Sequence, residues 1–153
     1  MATIFKPPSK LYDLPYDQFC LFLAGSIEQD NATNWQQVVE DEFKNSDIII
    51  LNPRRDKWDS SLEQTIENQK FVEQIEWELE ALENSNAIFM FFEPGTKSPI
   101  SLLELGLFAK RNIVVCCPKG FWRKGNVDIV CKRYNIPVFE TIIEAINLIK
   151  RKM

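Results

Sequence analysis

Short runs of consecutive apolar residues alternate along the chain with segments whose apolar residues recur at helical spacing. The runs predict strands, because strands buried on both faces of a parallel sheet are apolar at every position. They lie at residues 19–24, 47–52, 87–92, 112–117 and 136–139. The segments around them predict helices near residues 35–43, 62–84, 101–111, 127–134 and 142–149. Strands that alternate with helices in this way are typical of an α/β domain, here a doubly wound sheet of about five parallel strands.

Capping residues predict where two of the helices begin. Asn31 or Thr33 is available as the N-cap of the first helix. Ser60 and Glu63 fit a capping box, which predicts that the long helix begins near Leu62. The apolar stripe of that helix then comprises Phe71, Ile75, Leu79 and Leu82.

The length of 153 residues suits one domain with a substantial core. Residues 1–17 contain Pro7, Pro8 and Pro15 and predict an extended N-terminal arm, which leaves residues 18–153 as the domain. The N-terminus lacks the apolar region of a signal peptide, and no apolar run approaches the length of a membrane span. The four cysteines form no C-x-x-C pair. We therefore expect a reduced, cytoplasmic protein.

Charge and histidine content exclude several function classes. The net charge of −4 argues against an electrostatic binder of DNA or RNA. The chain contains no histidine, which excludes Ser-His-Asp and Cys-His catalysis and histidine metal sites. Acid–base chemistry must then come from carboxylates, tyrosine, cysteine or lysine. We expect no metal and no cofactor.

Candidate site residues follow the predicted strands, because ligands of open α/β sheets bind at the carboxyl ends of the strands. The first of these segments lacks the G-x-G-x-x-G fingerprint, and the chain has no P-loop motif. Gly25 and Ser26 either let backbone N–H groups and a hydroxyl approach a ligand or form a plain turn. Arg54 and Arg55 either hold an anion or are solvated loop charges.

Aromatic residues in the later loops offer a stacking surface for a base. Trp58 and Trp122 are candidates for such stacking, although packing is the ordinary role of tryptophan. Residues 119–126 combine aromatic and cationic side chains and are a candidate lid over a nucleotide.

Two glutamates are candidates for chemistry. Glu104 lies among leucines in the first turn of the predicted helix 101–111, where the helix field favours its ionised form. An ionised carboxylate in an apolar pocket can attack an oxocarbenium-like carbon, or it can simply satisfy its own backbone. Glu78 lies near the core edge of the long helix, whereas Glu76 and Glu80 are predicted to be solvated. Taken alone, Glu78 is equally consistent with a surface charge.

An ordered set of short motifs resembles the nucleoside 2-deoxyribosyltransferase-like superfamily. The set comprises FLAGSI at 22–27, NPRR at 52–55, Q-x-x-W-E at 74–78, Ser98, and LELG at 103–106. The superfamily includes bacterial transferases and the eukaryotic 2′-deoxynucleoside 5′-monophosphate N-glycosidase, and the resemblance covers about residues 19–115. It implies a Rossmann-like domain that cleaves the N-glycosidic bond of a nucleoside or nucleotide, with the sugar passing to another base or to water. It also favours a homodimer or higher homo-oligomer.

The resemblance implies a role for several residues. Glu104 matches the nucleophile that forms a glycosyl ester, and Glu78 matches the carboxylate, usually Asp, that helps to protonate the departing base. Gly25 and Ser26 match a loop near the sugar and phosphate, and Ser98 occupies a position where the transferases carry Asp and the monophosphate hydrolase carries Ser. The full set of candidate substrate-binding residues is Phe22, Gly25, Ser26, Arg54, Arg55, Trp58, Ser98, Ser101 and Trp122.

Two departures keep other functions open. Phe22 aligns with a tyrosine that hydrogen-bonds the nucleophile in the family, and Glu78 is one methylene longer than the usual Asp. A catalytically weak or inactive nucleotide-binding sensor is therefore the alternative from another class, and hydrolysis of another ribosyl compound, such as a dinucleotide cofactor, is a third. For an active enzyme we expect the two pKa values to be pushed apart, with Glu104 ionised and the pKa of Glu78 raised by its apolar neighbours.

Overall fold

The computed structural model describes residues 1–15, 17–27, 33–55 and 59–153, which form one open sheet of six parallel strands. The strands are β1 (Thr3–Phe5), β2 (Phe19–Gly25), β3 (Ile48–Leu51), β4 (Ala87–Phe91), β5 (Ile113–Cys116) and β6 (Val138–Phe139). Their order across the sheet is β1-β3-β2-β4-β5-β6. The direction of winding therefore reverses between β2 and β4, which is where doubly wound sheets bind their ligands.

Helices cover both faces of the sheet. They are α1 (Trp35–Phe43), α2 (Gln69–Asn84), α3 (Pro99–Phe108), α4 (Lys124–Arg133) and α5 (Ile142–Lys152), with a short 3-10 helix at Leu11–Asp13. One core lies under α1 and α5, and the other lies under α2, α3 and α4. Because both faces are covered, β2 to β5 are apolar at nearly every position, and the predicted Rossmann-like α/β fold is confirmed.

The sixth strand lies in the segment that was expected to be an extended arm. Thr3–Phe5 pairs in parallel with β3, with Ile4 opposite Ile50. This strand has only three residues at the sheet edge, and none of them is fully buried. It therefore has neither the length nor the apolar run that predicts a strand. A domain boundary after residue 17 stays a prediction.

The predicted start of α2 is wrong. The helix begins at Gln69, where the side chain of Asn68 accepts a hydrogen bond from the backbone N–H of Phe71 at 3.2 Å. Ser60 and Glu63 lie in an exposed segment ahead of the helix. Most helical stability comes from a buried apolar face, and the apolar residues of this segment, Leu62 and Ile66, are not buried, so the capping box alone does not start a helix.

The cap of α1 and the start of α3 also differ from the predictions. The side chain of Asn34 caps α1, whereas Thr33 donates its backbone N–H and its hydroxyl to Glu93, and Asn31 lies outside the described residues. Helix α3 begins at Pro99, two residues earlier than expected, because proline is favoured at the first helical position. The buried face of α2 is formed by Gln74, Trp77, Ala81 and Leu82.

We expect Gly25→Ala to destabilise the protein by about 2 kcal/mol or more. Gly25 ends β2 with φ of 138°, and a Cβ there would overlap the carbonyl oxygen of Phe91 and lie 2.8 Å from its nitrogen. Gly106→Ala is the control, because Gly106 lies in α3 with open space around it, and alanine should stabilise that helix by about 0.5–1 kcal/mol. Urea denaturation measures both variants, and equal stabilities would contradict the close approach of β2 and β4.

Candidate active site

A cavity of about 410 Å³ opens where β2 and β4 end, and α2 and α3 form its walls. Its walls combine apolar side chains with a few polar groups, as is usual for small-molecule sites. It is lined by Gly25, Ser26, Ile27, Pro53, Arg55, Gln64, Phe71, Gln74, Ile75, Glu78, Ser98, Pro99, Ile100, Ser101 and Glu104. The ends of β2 and β3, the helix α2 and the start of α3 thus converge on one space.

Glu104 lies on the buried face of α3, and 9% of its surface is exposed. No donor among the described residues hydrogen-bonds its carboxylate. Burial, and then the charge of Glu78, raise the pKa of Glu104 to about 8. The expectation that the helix field keeps Glu104 ionised is therefore wrong. Because α3 begins at Pro99, Glu104 lies in the second turn, beyond the reach of the N-terminal field.

Glu78 is half-buried on α2 and faces the same cavity. Burial raises its pKa, and a hydrogen bond from Gln74 and the charge of Arg55 oppose that rise. The predicted rise in the pKa of Glu78 is confirmed, but the pKa of Glu104 is raised as well. The two carboxyl groups are close enough for the charge on one to disfavour ionisation of the other.

A hydrogen-bonded chain links Glu78 to a cation. The Nε2 of Gln74 donates to Oε1 of Glu78 at 2.6 Å and to the carbonyl oxygen of Pro53 at 3.3 Å. The Oε1 of Gln74 accepts a hydrogen bond from Nε of Arg55. Arg55 is therefore part of the site and not a solvated loop charge. The sequence analysis included Gln74 in the Q-x-x-W-E motif but assigned it no role, although its position four residues before Glu78 was an available signal.

Three buried hydroxyl groups meet just beyond the carboxyl ends of β2 and β4. We call Ser26, Thr96 and Ser98 the hydroxyl cluster; their oxygens lie 2.6 Å (Ser26–Ser98), 2.8 Å (Thr96–Ser98) and 3.0 Å (Ser26–Thr96) apart. The backbone of Ser26 is held by hydrogen bonds with Phe91 and with the indole of Trp35. Thr96 was missed by the sequence analysis, although it lies in the loop after β4.

The geometry of Ser98 turns its hydroxyl toward this cluster. Ser98 precedes α3 in the left-handed conformation, with φ of 47°, and its side chain does not cap the helix. Ser101 follows on the buried face of α3 and lines the cavity. The predicted residues Gly25, Ser26, Ser98 and Ser101 are thus brought together with the two glutamates.

Other predicted residues lie away from the cavity. Phe22 is buried in the core under α2 to α4, and Arg54 donates to Gln36 on the side of α1. Neither lines the cavity. Trp58 lies outside the described residues.

Trp122 also lies outside the lining, so it is not positioned in this structure to stack on a base there. Its ring is about half exposed and is stacked by Lys97 at 4.2 Å and Arg123 at 4.3 Å. Its indole N–H donates to the carbonyl oxygen of Lys97 at 2.9 Å. The neighbouring Phe121 packs against Phe92 in the core, and no residue of 119–126 lines the cavity, so the predicted lid does not cover it in this structure.

Cysteine chemistry does not compete with the glutamates. All four thiols are buried, and burial raises the pKa of Cys116 and of Cys131 to about 12. At neutral pH such thiols are not nucleophiles.

Over residues 1–15, 17–27, 33–55 and 59–153, no group of three or more acidic or cysteine side chains is arranged to hold a metal. Within the same residues, none of the helices combines the length and the apolar character that a membrane span requires.

Comparisons with known proteins agree with this architecture. Residues 18–121 match the family model described as nucleoside 2-deoxyribosyltransferase like. A crystal structure of a conserved protein from Enterococcus faecalis V583 has the same fold, with a TM-score of 0.65 and 10% sequence identity, over 89% of this chain and 99% of that chain. No curated protein sequence matches the chain significantly.

We expect Glu104→Gln to stabilise the protein near pH 8 and to have little effect near pH 4.5. The folded state keeps the Glu104 proton up to a pKa of about 8, whereas an ordinary glutamate releases it near 4.5. Between these values the folded state binds more protons, so the free energy of unfolding of the wild type falls by up to about 1.4 kcal/mol per pH unit. Glutamine does not ionise, and the variant should lose this slope.

Urea denaturation at several pH values measures the difference. Glu76→Gln is the control, because Glu76 is an exposed glutamate on α2. If Glu104→Gln and the wild type lost stability equally as the pH rises, the buried, protonated state of Glu104 would be refuted.

Proposed function

The chain belongs to the nucleoside 2-deoxyribosyltransferase-like family, and from this premise we propose that it cleaves the N-glycosidic bond of a deoxynucleoside or deoxynucleotide with retention. The observation that carries the proposal is the pair of buried carboxyl groups, Glu104 and Glu78, in one cavity at the switch point of the sheet. Two carboxyl groups with opposite tasks are what a retaining glycosidic cleavage requires.

In the first step Glu104 acts as the nucleophile. One carboxylate oxygen forms a bond to C1′ of the sugar while the bond from C1′ to the base nitrogen breaks, and the electron pair of that bond leaves with the base. Glu78 gives its proton to the base as it departs. Glu104 must therefore give up the proton that its pKa of about 8 lets it hold in the free protein, so the single proton of the pair lies on Glu78 in the substrate complex. The cation-like sugar stabilises the resulting carboxylate of Glu104, which burial otherwise disfavours. The products are a glycosyl ester on Glu104, a neutral base and an ionised Glu78.

In the second step Glu78 acts as the base. It takes a proton from water, or from an N–H group of an acceptor base, as the acceptor attacks C1′ and the ester bond to Glu104 breaks. Water produces the free sugar and a second base produces a new nucleoside. Two inversions at C1′ leave the configuration unchanged. The first step passes the proton of Glu78 to the departing base, and the second step restores a proton to Glu78 from the acceptor.

A second candidate function is a nucleotide-binding sensor without turnover. The burial of Phe22 in the core favours it, because no hydroxyl group from β2 is available at that position to hydrogen-bond Glu104. Release of free base separates the two functions, since a sensor binds the nucleotide and leaves it intact.

We expect Glu104→Ala to lower the release of base by at least about 10³-fold while the fold is kept, because the side chain lines a cavity and does not fill the core. Glu78→Gln should lower the rate at which natural bases are released by about 10²-fold, because these bases depart poorly without a proton. Chromatography of the free base over a panel of deoxynucleosides and deoxynucleotides measures both. The exposed Glu76→Gln is the control, and full activity in Glu104→Ala would contradict the assignment.

The hydroxyl cluster and Arg55 favour a substrate with a 5′-phosphate. Hydroxyl groups donate to phosphate oxygens and a guanidinium adds charge, whereas a carboxylate at position 98 would repel the phosphate. We expect 5′-monophosphates to be cleaved better than the unphosphorylated deoxynucleosides, and Ser98→Asp to lower that preference by about 10-fold. Ser98→Asn is the control of similar shape and no charge. A wild-type preference for unphosphorylated substrates, from kcat/KM values, would contradict the idea.

Helix α3 carries apolar residues on its outer side as well as on its buried side. Leu103 and Leu107 are more than half exposed on this outer side, and Ile100, also more than half exposed, continues the stripe to the cavity, which it lines. A helix that is apolar all round is normally covered by another surface. We propose that this stripe is covered by the same stripe of a second copy of the chain, in a homodimer or higher homo-oligomer.

We therefore expect the wild type to be at least dimeric at micromolar concentration and Leu103→Lys to shift it toward the monomer. Light scattering coupled to size-exclusion chromatography measures the mass. Ile129→Lys is the control, because Ile129 is 71% exposed on α4 and lies off this stripe. A monomeric wild type would contradict the proposal.

A further inference from the structure

We infer that Arg55 and Gln74 position the acid of the reaction, by occupying Oε1 of Glu78 so that its transferable proton lies on Oε2. This inference rests on the proposed function and names two residues for which that function assigns no chemical step. Neither residue transfers a proton itself, so both are positioning residues.

The hydrogen-bond chemistry of arginine determines which way the Gln74 amide points. A guanidinium only donates, so the atom of Gln74 that meets Nε of Arg55 must be the carbonyl oxygen Oε1. The amide nitrogen Nε2 then necessarily faces Glu78, at 2.6 Å, and Pro53, at 3.3 Å. Its two N–H bonds are matched by two acceptors. Gln74 is 4% exposed, so water has little access to replace these partners.

The orientation of Gln74 decides where Glu78 can hold a proton. The carbonyl oxygen of a carboxylic acid accepts a hydrogen bond better than its hydroxyl oxygen does, so the N–H group directed at Oε1 favours the form with the proton on the other oxygen. A neutral Glu78 is therefore protonated on Oε2. The hydrogen bond from Gln74 and the charge of Arg55 also lower the pKa of Glu78, against the effect of burial. An acid whose pKa is raised without limit would bind its proton too tightly to release it.

Substrates that differ in their need for a proton test the inference. A purine deoxynucleoside 5′-monophosphate needs its base protonated, whereas its N7-methylated counterpart already has a cationic base that departs without a proton. We expect Gln74→Met to lower kcat for the first compound by about 10- to 100-fold, a share of the 10²–10⁴-fold typical of acid–base catalysis. The N7-methylated compound should change by less than about 3-fold.

The pH dependence supplies a second readout. Gln74→Met removes a hydrogen bond that lowers the pKa of Glu78, so that pKa should rise. The alkaline limb of kcat for the unmethylated compound should then move to higher pH. The ¹³C chemical shift of the Glu78 carboxyl group follows the same titration in the free protein, without any need for activity.

Helix α2 offers a matched control. Gln69 also donates from Nε2 to the glutamate four residues later, Glu73, at 3.1 Å, but this pair is exposed. Gln69→Met therefore removes the same kind of hydrogen bond from the same helix. It should leave kcat for both substrates and the pH profile of kcat unchanged. Gln74→Glu is the second variant, because it keeps a partner for Arg55 while an acceptor replaces the donor facing Glu78. Gln74→Glu should also lower kcat for the unmethylated compound more than kcat for the N7-methylated compound.

The outcomes separate this inference from the function on which it rests. Loss of activity toward the natural base alone, with a higher pKa of Glu78, supports the positioning role. An equal loss for both compounds, or no loss for either, would overturn that role and leave the proposed function intact. A wild type that releases neither base would refute the proposed function, and the inference would fall with it.

Discussion

Burial of two carboxyl groups in one cavity is the constraint on which the chemistry of this protein depends. Water-poor surroundings disfavour charge on Glu104, and the charge of Glu78 disfavours it further, which raises the pKa of Glu104 to about 8. A pair in this state holds one proton over a wide pH range and loses the second proton reluctantly. One proton shared by a nucleophile and an acid is the number that the first step of the proposed reaction needs and that the second step restores.

The sheet creates this burial through its winding. Reversal between β2 and β4 leaves a crevice at their carboxyl ends, and α2 and α3 lie on the same face and close it from two sides. Gly25 allows β2 to approach the backbone of Phe91, and that approach brings Ser26 next to Thr96 and Ser98. The hydroxyl cluster thus depends on a backbone contact that any side chain at position 25 would prevent.

Apolar patterning predicts most of this architecture and only part of the site. The strands β2 to β6 lie within one or two residues of the predicted runs, because burial on both faces demands apolar residues without interruption. The edge strand β1 was not predicted, because it is short and none of its residues is fully buried. Glu104 and Glu78 were identified from motifs. The roles of Gln74, which was part of a motif but had no assigned task, and of Thr96 were not predicted, because these roles arise from partners distant in sequence, such as Arg55 and Ser26.

The glycosyl ester on Glu104 is the central claim, and trapping it tests the account most directly. A substrate with fluorine at C2′ forms the ester and then reacts slowly, because fluorine destabilises the cation-like transition states. The account predicts that mass spectrometry of the quenched protein finds one added fluorinated sugar, on the peptide that contains Glu104, and none in Glu104→Gln. Free base released without any sugar on the protein, or sugar attached to a different residue, would contradict it.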